Sequence, residues 1–293
     1  MLEKAIITSC STKFFPSVIN LISSIKVVYP NHPTIFVYNL GLLPVFRKEL
    51  IMVEGVEVID MPKFCAHWRS CYTWKTYIFA HPVARLNFYL DAGCQILKSL
   101  DEVFDIIEKK DVLLINECVS FKEIVPESYK KLFNLSDKCD DLPTMHAGIV
   151  GFKNTPAINN IFEKIYNAAL VGLSLGFSSR DKKRNRGKDK NVFVRDCNFF
   201  RHDLTLVNIF FRKYYDNICL HSINLFHFNK NVIPEQFVWL LRLRYTKLDN
   251  LNIKILHKNV KVLFVLNRFL IYFFIKIKNF NIFIKKKLSI IKI

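Results

Sequence analysis

The sequence has little that would mark a secreted or disulfide-linked protein. Its eight cysteines include no Cys-x-x-Cys pair, and several lie in apolar runs. We therefore interpret them as reduced thiols of a cytoplasmic protein. Residues 1–8 lead directly into an apolar stretch and lack the charged start and long apolar core of a signal peptide. Cys65, His67 and Cys71 lack an evident fourth metal ligand, which favours structural roles for them.

Acidic residues are missing from residues 251–293, which contain nine Lys and one Arg. The longest apolar stretch there, between Lys261 and Lys276, has 14 residues and includes Asn267 and Arg268, whereas a bilayer span needs about 20 apolar residues. Basic residues spaced by three or four would form one stripe of an amphipathic helix. We expect this tail to lie on an anionic membrane at its inner face. Packing against the rest of the protein, or against a second copy, is the alternative.

The formal net charge of +18 is concentrated in this tail and in residues 180–190, which contain seven basic and two acidic side chains. No recognised nucleic-acid-binding motif accompanies the charge. We therefore expect no nucleic-acid partner, and a basic nucleic-acid-binding protein is the third-ranked alternative.

Apolar runs alternate with helical patterns along the first 250 residues. We predict strands at 5–9, 34–38, 56–59, 111–115 and 145–152, and a central strand within the stretch 85–97 that ends at Asp91. Helical patterns lie at 15–25, at 158–169 and from residue 203. This alternation predicts an α/β fold with a doubly wound, mostly parallel sheet. We expect a domain at residues 1–250 and the basic, apolar tail at 251–293.

The apolar run around residue 90 delivers Asp91 at the carboxyl end of a predicted central strand, where open α/β sheets bind ligands. Gly93 would allow close backbone approach or a positive φ. Trp74 could cover a ring and Lys75 could neutralise a phosphate, although a core tryptophan beside a solvated lysine explains the pair as well. Asp203, at the start of a helix, is a natural cap.

Five short motifs, in order, resemble those of GT-A-type nucleotide-sugar glycosyltransferases. The similarity is greatest to a bacterial and animal group with Tyr-Asp-Leu-Gly-Leu, Trp-Lys-Pro and Asp-x-Gly signatures, distantly related to glycogenin and family 8. It covers about residues 4 to 228. The motifs are Val37-Tyr38-Asn39-Leu40-Gly41-Leu42, Trp74-Lys75, Tyr89-Leu90-Asp91-Ala92-Gly93, Ala147-Gly148-Ile149 and Arg201-His202-Asp203.

The resemblance places Asp91 where many GT-A enzymes carry Asp-x-Asp, whose carboxylates hold Mg²⁺ or Mn²⁺ against the donor diphosphate. Here Gly93 replaces the second carboxylate. Two compensations are possible. His221 or His227 could complete the metal site with Asp91, or Lys75 and Arg201 could offer fixed positive charge to the diphosphate.

The resemblance also implies roles for the remaining motif residues. Asp203 would orient an acceptor hydroxyl or the donor sugar, which makes Asp91 and Asp203 the predicted catalytic pair. Leu204 and Thr76 depart from the Gln and Pro usual at these motifs. The residues expected at the base and ribose are Thr8, Ser9 and Asn39, and those expected at the sugars are Trp74, His146, Ala147, Gly148 and His202.

The resemblance thus implies a hexosyltransferase-like enzyme that moves a sugar from a nucleotide donor to a surface glycan or a lipid-linked acceptor. The bias toward Lys, Asn, Ile and Phe suggests an AT-rich, bacterial genome. A noncatalytic protein that binds sugar nucleotides or carbohydrate is the second hypothesis, because the second carboxylate is absent.

Overall fold

The computed structural model describes residues 1–175, 200–226 and 235–240. The basic segment 180–190, His227 and the tail 251–293 lie outside these residues, so the predictions that concern them, including the domain boundary at 250, remain predictions. Within the described ranges, no helix is both long and apolar enough to cross a membrane.

A seven-stranded sheet in the order β3-β2-β1-β4-β7-β6-β8 forms the centre of the fold. Its strands and those of a two-stranded sheet are β1 Leu2–Cys10, β2 Ile35–Asn39, β3 Val56–Asp60, β4 Ala84–Leu90, β5 Cys94–Ile96, β6 Val112–Ser120, β7 Pro143–Lys153, β8 Leu220–His221 and β9 Val238–Leu240. In the large sheet only β7 runs opposite to its neighbours β4 and β6. The predicted mostly parallel α/β sheet is confirmed.

Helices cover both faces of this sheet, because its inner strands are apolar on both sides. They are α1 Phe15–Val28, α2 Pro44–Ile51, α3 Thr73–Ala80, α4 Asp101–Lys110, α5 Phe121–Ile124, α6 Glu127–Phe133, α7 Pro156–Leu170 and α8 Asp203–Tyr214. One hydrophobic core lies between the sheet and α1, α2 and α4, and the other lies between the sheet and α3, α5, α6, α7 and α8.

The strand order reverses between β1 and β4, which are parallel neighbours at the middle of the sheet. Such a switch point opens a crevice beyond the carboxyl ends of the two strands, and this is where doubly wound folds bind ligands. Ser9, near the end of β1, and Asp91, directly after β4, lie at this crevice. The fold therefore delivers Asp91 to the position that the sequence predicted.

Candidate active site

A buried lysine joins two aspartates at the crevice. Lys75 Nζ lies 3.0 Å from Asp91 Oδ1 and 3.4 Å from Asp203 Oδ2, and it donates to the Ala147 carbonyl at 3.2 Å. The side chains of Lys75 and Asp203 are each 5% exposed, whereas that of Asp91 is 36% exposed. Asp91 is therefore the member of this cluster that a ligand can reach most readily.

Burial and charge act in opposite directions on the two interior groups. Burial lowers the pKa of Lys75, but Asp203 and Asp91 outweigh it and hold that pKa well above its usual range. Burial raises the pKa of Asp203 to about 6, against the lowering by Lys75. Lys75 is consequently a permanent cation whose charge is directed at the two carboxylates, which favours a role in organising the carboxylates over direct neutralisation of a phosphate.

Asp203 reaches this cluster because α8 is fixed to β7 by a buried amide. Asn208 Oδ1 accepts from the Met145 amide at 2.8 Å, and Asn208 Nδ2 donates to the Met145 carbonyl at 3.0 Å. The predicted cap is a different residue, since His202 is the N-cap of α8 and Asp203 is its first residue. The Asp203 carboxylate instead faces Lys75, and its buried Oδ2 makes the ion pair but no hydrogen bond within the described chain.

A second set of contacts, a chain of hydrogen bonds that begins at Trp74, ends at the Asp91 carboxylate. Trp74 Nε1 donates to Ser9 Oγ at 3.2 Å, Ser9 Oγ lies 3.2 Å from the Tyr89 hydroxyl, and Tyr89 donates to Asp91 Oδ1 at 3.0 Å. Indole is only a donor and an ionised carboxylate is only an acceptor, so the Ser9 hydroxyl donates to Tyr89. The chain orients the carboxylate and places Trp74 and Ser9 at the same site, together with Lys75 and Asp91.

Gly148, on β7, lies against the Asp91 carboxylate. A Cβ at this position would be 2.5 Å from Asp91 Oδ2 and 2.6 Å from His146 Cε1, so only glycine fits. The Asp91 amide donates to the Gly148 carbonyl at 2.8 Å and ties the end of β4 to β7. The predicted segment His146, Ala147 and Gly148 thus forms one wall of the site.

A second buried network, centred on Glu117, adjoins this wall and was missed from the sequence. Arg201 donates to Glu117 Oε1 at 3.1 Å, and His146 Nε2 lies 3.4 Å from Glu117 Oε2. His146 Nδ1 accepts from the Gly148 amide at 3.0 Å, so a neutral His146 carries its proton on Nε2, toward Glu117. The side chain of Arg201 is 31% exposed and that of Glu117 is 9% exposed. Through these contacts Glu117, on β6, connects to His146 and Gly148 on β7 and to Arg201 in the segment before α8.

Several residues with positive φ lie close to this site in the chain. Among described non-glycine residues with positive φ, Asp111 and Asn134 are the C-caps of α4 and α6, an ordinary place for this conformation. The others flank the site, and each costs about 1–2 kcal/mol. They are Cys71 at 52°, Tyr72 at 59°, Cys118 at 59° and His202 at 55°. Residues before Lys75, after Glu117 and before Asp203 are thus held in unfavourable conformations.

Four predicted site residues lie apart from this cluster or in structural roles. Thr8 is fully buried on the face of β1 opposite Ser9. Asn39 binds Asp60 and the amides of Gly41 and Leu42, which shapes the turn after β2. Gly93 is not among the described glycines with positive φ, and it lies in the turn closed by the Cys94 amide and the Asp91 carbonyl.

His221 is the fourth, on β8, and three strand spacings of about 4.8 Å, roughly 14 Å in all, separate β8 from β4. Burial and Lys110 lower the pKa of His221. His202 lies at the site entrance with its Nδ1 bonded to the Ser174 carbonyl at 2.9 Å. Of the two predicted histidine ligands, the described one is therefore distant from Asp91, and His227 lies outside the described residues.

Glycosyltransferases are among the solved structures that superpose on this chain. The apo structure of the bifunctional glycosyltransferase WbbM superposes with a TM-score of 0.51 at 12% identity over 82% of this chain. The apo glycosyltransferase GlyE of Streptococcus pneumoniae TIGR4 gives a TM-score of 0.50 at 11% identity over 83% of this chain. The chain has the GT-A fold.

The GT-A likeness covers 46% of the WbbM chain and 58% of the GlyE chain, so this chain spans about half the length of those proteins. No protein-family model matches the sequence, and no curated protein matches it. At these identities the likeness establishes the GT-A fold, and the residues of the crevice must carry any statement about chemistry.

Proposed function

We propose that this protein is a hexosyltransferase-like enzyme that moves a sugar from a nucleotide-diphosphate donor to a glycan or lipid-linked acceptor. The observation that carries the proposal is the Lys75, Asp91 and Asp203 cluster at the switch point of a GT-A fold. The reaction breaks the bond between the anomeric carbon and the diphosphate oxygen, forms a bond from that carbon to the oxygen of an acceptor hydroxyl, and releases the nucleotide diphosphate and the proton of that hydroxyl. Oriented carboxylates suit this chemistry because they accept hydrogen bonds from sugar hydroxyls and stabilise positive charge at the anomeric centre.

The two carboxylates would have different roles. Asp203 Oδ2 is buried and lacks a hydrogen bond within the described chain, which suits the recognition of a sugar hydroxyl. Asp91 is more exposed and directed by Tyr89, which suits contact with the reacting part of the donor. Arg201, partly exposed and fixed by Glu117, is the cation of the site that could approach the diphosphate.

The described residues do not by themselves fit a divalent metal. No three His, Cys, Asp or Glu side chains among them are grouped as ligands. Oδ1 of Asp91, the residue expected to bind a metal, already accepts a hydrogen bond from Tyr89 and pairs with Lys75. The proposed roles therefore use protein side chains alone, and the comparison of Mn²⁺ with EDTA tests whether a metal takes part.

Thermal-shift measurements on the full chain test the proposal. UDP-, GDP-, CMP- and dTDP-sugars are each added with Mn²⁺ and with EDTA, since a ligand of the native state raises its stability by mass action. One selective shift, followed by release of the free nucleotide, supports the transferase; the nucleotide is a diphosphate for the UDP-, GDP- and dTDP-sugars and CMP for the CMP-sugars. The EDTA arm reports whether the metal is needed. Asp91→Asn should abolish the shift and leave the unliganded melting temperature within about 2 °C, because Lys75 keeps Asp203 as its partner. Unchanged donor binding in that variant would remove Asp91 from the mechanism.

A noncatalytic sugar-nucleotide-binding or carbohydrate-binding protein is the second candidate. The single carboxylate of the Asp91-Ala92-Gly93 motif favours it, as does the pairing of both aspartates with Lys75. This candidate predicts the same selective shift without release of free nucleotide on addition of any acceptor. The membrane proposal rests on the sequence of residues 251–293 and predicts salt-sensitive co-sedimentation with phosphatidylglycerol vesicles.

A further inference from the structure

Tyr72 is an exposed aromatic residue in a strained position at the entrance of the site. It is 47% exposed, and its φ of 59° lies in the left-handed region, which a tyrosine rarely adopts. The turn that contains Tyr72 is firmly held, because Thr73 Oγ1 donates to the Ser70 carbonyl and also lies 2.7 Å from Ser174 Oγ. Strain that the surroundings maintain at a site entrance points to a use for the side chain.

The Tyr72 ring lies beside the charged cluster. Lys75 Nζ is 5.3 Å from the centre of this ring and 3.0 Å from Asp91 Oδ1, so the ring and the carboxylate flank one ammonium. The ring centres of Trp74 and His202 lie 5.3 Å and 6.2 Å from that of Tyr72, at tilted angles. These neighbours fix the ring's position, while nearly half of the residue's surface stays open to a ligand.

We infer that Tyr72 is a stacking platform for a sugar ring, and that in the proposed transferase this ring belongs to the acceptor. A pyranose presents C–H groups on one face, and the electron-rich face of an aromatic ring attracts them. Its hydroxyl groups would meet the Asp91 carboxylate, which contacts the same Lys75 ammonium as the Tyr72 ring.

We assign the sugar ring to the acceptor because Tyr72 lies nearer to solvent than the charged cluster does. This assignment rests on the proposed function. Asp203 and Lys75 are almost completely buried, Asp91 is half-buried, and Tyr72 is exposed. A donor must enter far enough to reach Asp91 and the buried Asp203. The acceptor binds over it, nearer to solvent, where Tyr72 lies.

Ligand-observed saturation-transfer NMR on the full chain tests the platform without requiring turnover. The probes are methyl glycosides of glucose, galactose, mannose and N-acetylglucosamine, each alone and with UDP. For a bound glycoside we expect the strongest transfer to the C–H protons of one ring face. Tyr72→Phe should retain this pattern, whereas Tyr72→Ala should weaken binding about tenfold, as expected for loss of one stacking contact.

Tyr72→Gly is the matched control for folding. Glycine adopts a φ of 59° without steric cost, so this variant should melt at or above the temperature of Tyr72→Ala and still lose glycoside binding. Equal binding by wild type and Tyr72→Ala, or no binding of any glycoside to wild type, would overturn the inference. A parallel loss of affinity for free UDP would assign the ring to a nucleobase, and a loss for a UDP-sugar but not for UDP would assign it to the donor; either result overturns the acceptor platform. Glycoside binding through Tyr72 without any donor shift would reject the transferase and leave the sugar platform standing.

Discussion

Ion pairs occur at both ends of the large sheet, but in opposite environments. At the amino-terminal end, Arg85 pairs with Glu3 and Glu108, and Lys153 pairs with Glu108 and Asp111, all with substantial exposure. At the carboxyl end, Lys75 and Asp203 form a pair in which each side chain is 5% exposed, and Lys75 also contacts the more exposed Asp91. Water already stabilises the charges at the first end, whereas the buried Lys75 and Asp203 depend on their charged partners. The same kinds of residue can therefore be ordinary surface pairs at one end and a preorganised site at the other.

The strongest test of this contrast removes the buried cation. Lys75→Met keeps the side-chain volume but leaves Asp203 buried without its partner. Breaking a buried pair in this way costs about 3–5 kcal/mol, so we expect a loss of that size in the free energy of unfolding measured in urea. The double variant Lys75→Met/Asp203→Asn should recover most of the loss, because both interior charges are then gone. A loss below about 1 kcal/mol in the single variant would show that the cluster behaves like a surface pair.

A second test uses the pH dependence of stability. The pKa of Asp203 is about 6 in the folded protein, against an ordinary value of 3.8. The folded state thus holds the Asp203 proton more tightly, so this group contributes stability that is full below pH 4 and is lost as the pH rises through 6. Relative to Asp203→Asn, the wild type should lose up to about 3 kcal/mol between pH 4 and pH 8, measured by urea unfolding at each pH. If the difference in unfolding free energy between wild type and Asp203→Asn did not change with pH, Lys75 would be holding the Asp203 pKa at its ordinary value.

The Glu117 network predicts a smaller effect. Glu117→Gln retains the shape but removes the charge that contacts Arg201 and faces His146. Hydrogen bonds to charged groups contribute about 1.5–3 kcal/mol, and glutamine can still accept one, so we expect a loss of about 1–2 kcal/mol in unfolding free energy. If the network also positions Arg201, donor affinity in the thermal-shift screen should fall while Asp91→Asn remains the more severe variant. If neither the unfolding free energy nor the donor affinity changed, Glu117 would have no role in stability or in donor binding.

The sequence predicted the position of Asp91 because a buried strand and the residue that ends it leave a local pattern. It did not predict that Lys75 is buried, since a lysine beside a tryptophan at a helix start is compatible with a solvated face. The pairing of Lys75 with Asp203 depends on how α3 and α8 pack against β7, which no local pattern encodes. The signal for Glu117 was a polar triplet that continues the apolar run of β6, and the strain at Tyr72 has no signature in residue types.

The smallest expected effect comes from the amino-terminal end and completes the comparison. Arg85→Met removes a guanidinium that contacts Glu3 and Glu108, whose side chains are 62% and 39% exposed, so water can reach both carboxylates after the change. The pKa of Glu108 is lowered to about 2 by Arg85 and Lys153, and Lys153 remains as a partner in the variant. We therefore expect a melting temperature close to that of wild type and unaltered donor binding in the same assays as Lys75→Met. A loss as large as that of Lys75→Met would show that exposure does not distinguish the two ends of the sheet, and the interior cluster would then need no special role to explain its effect on stability.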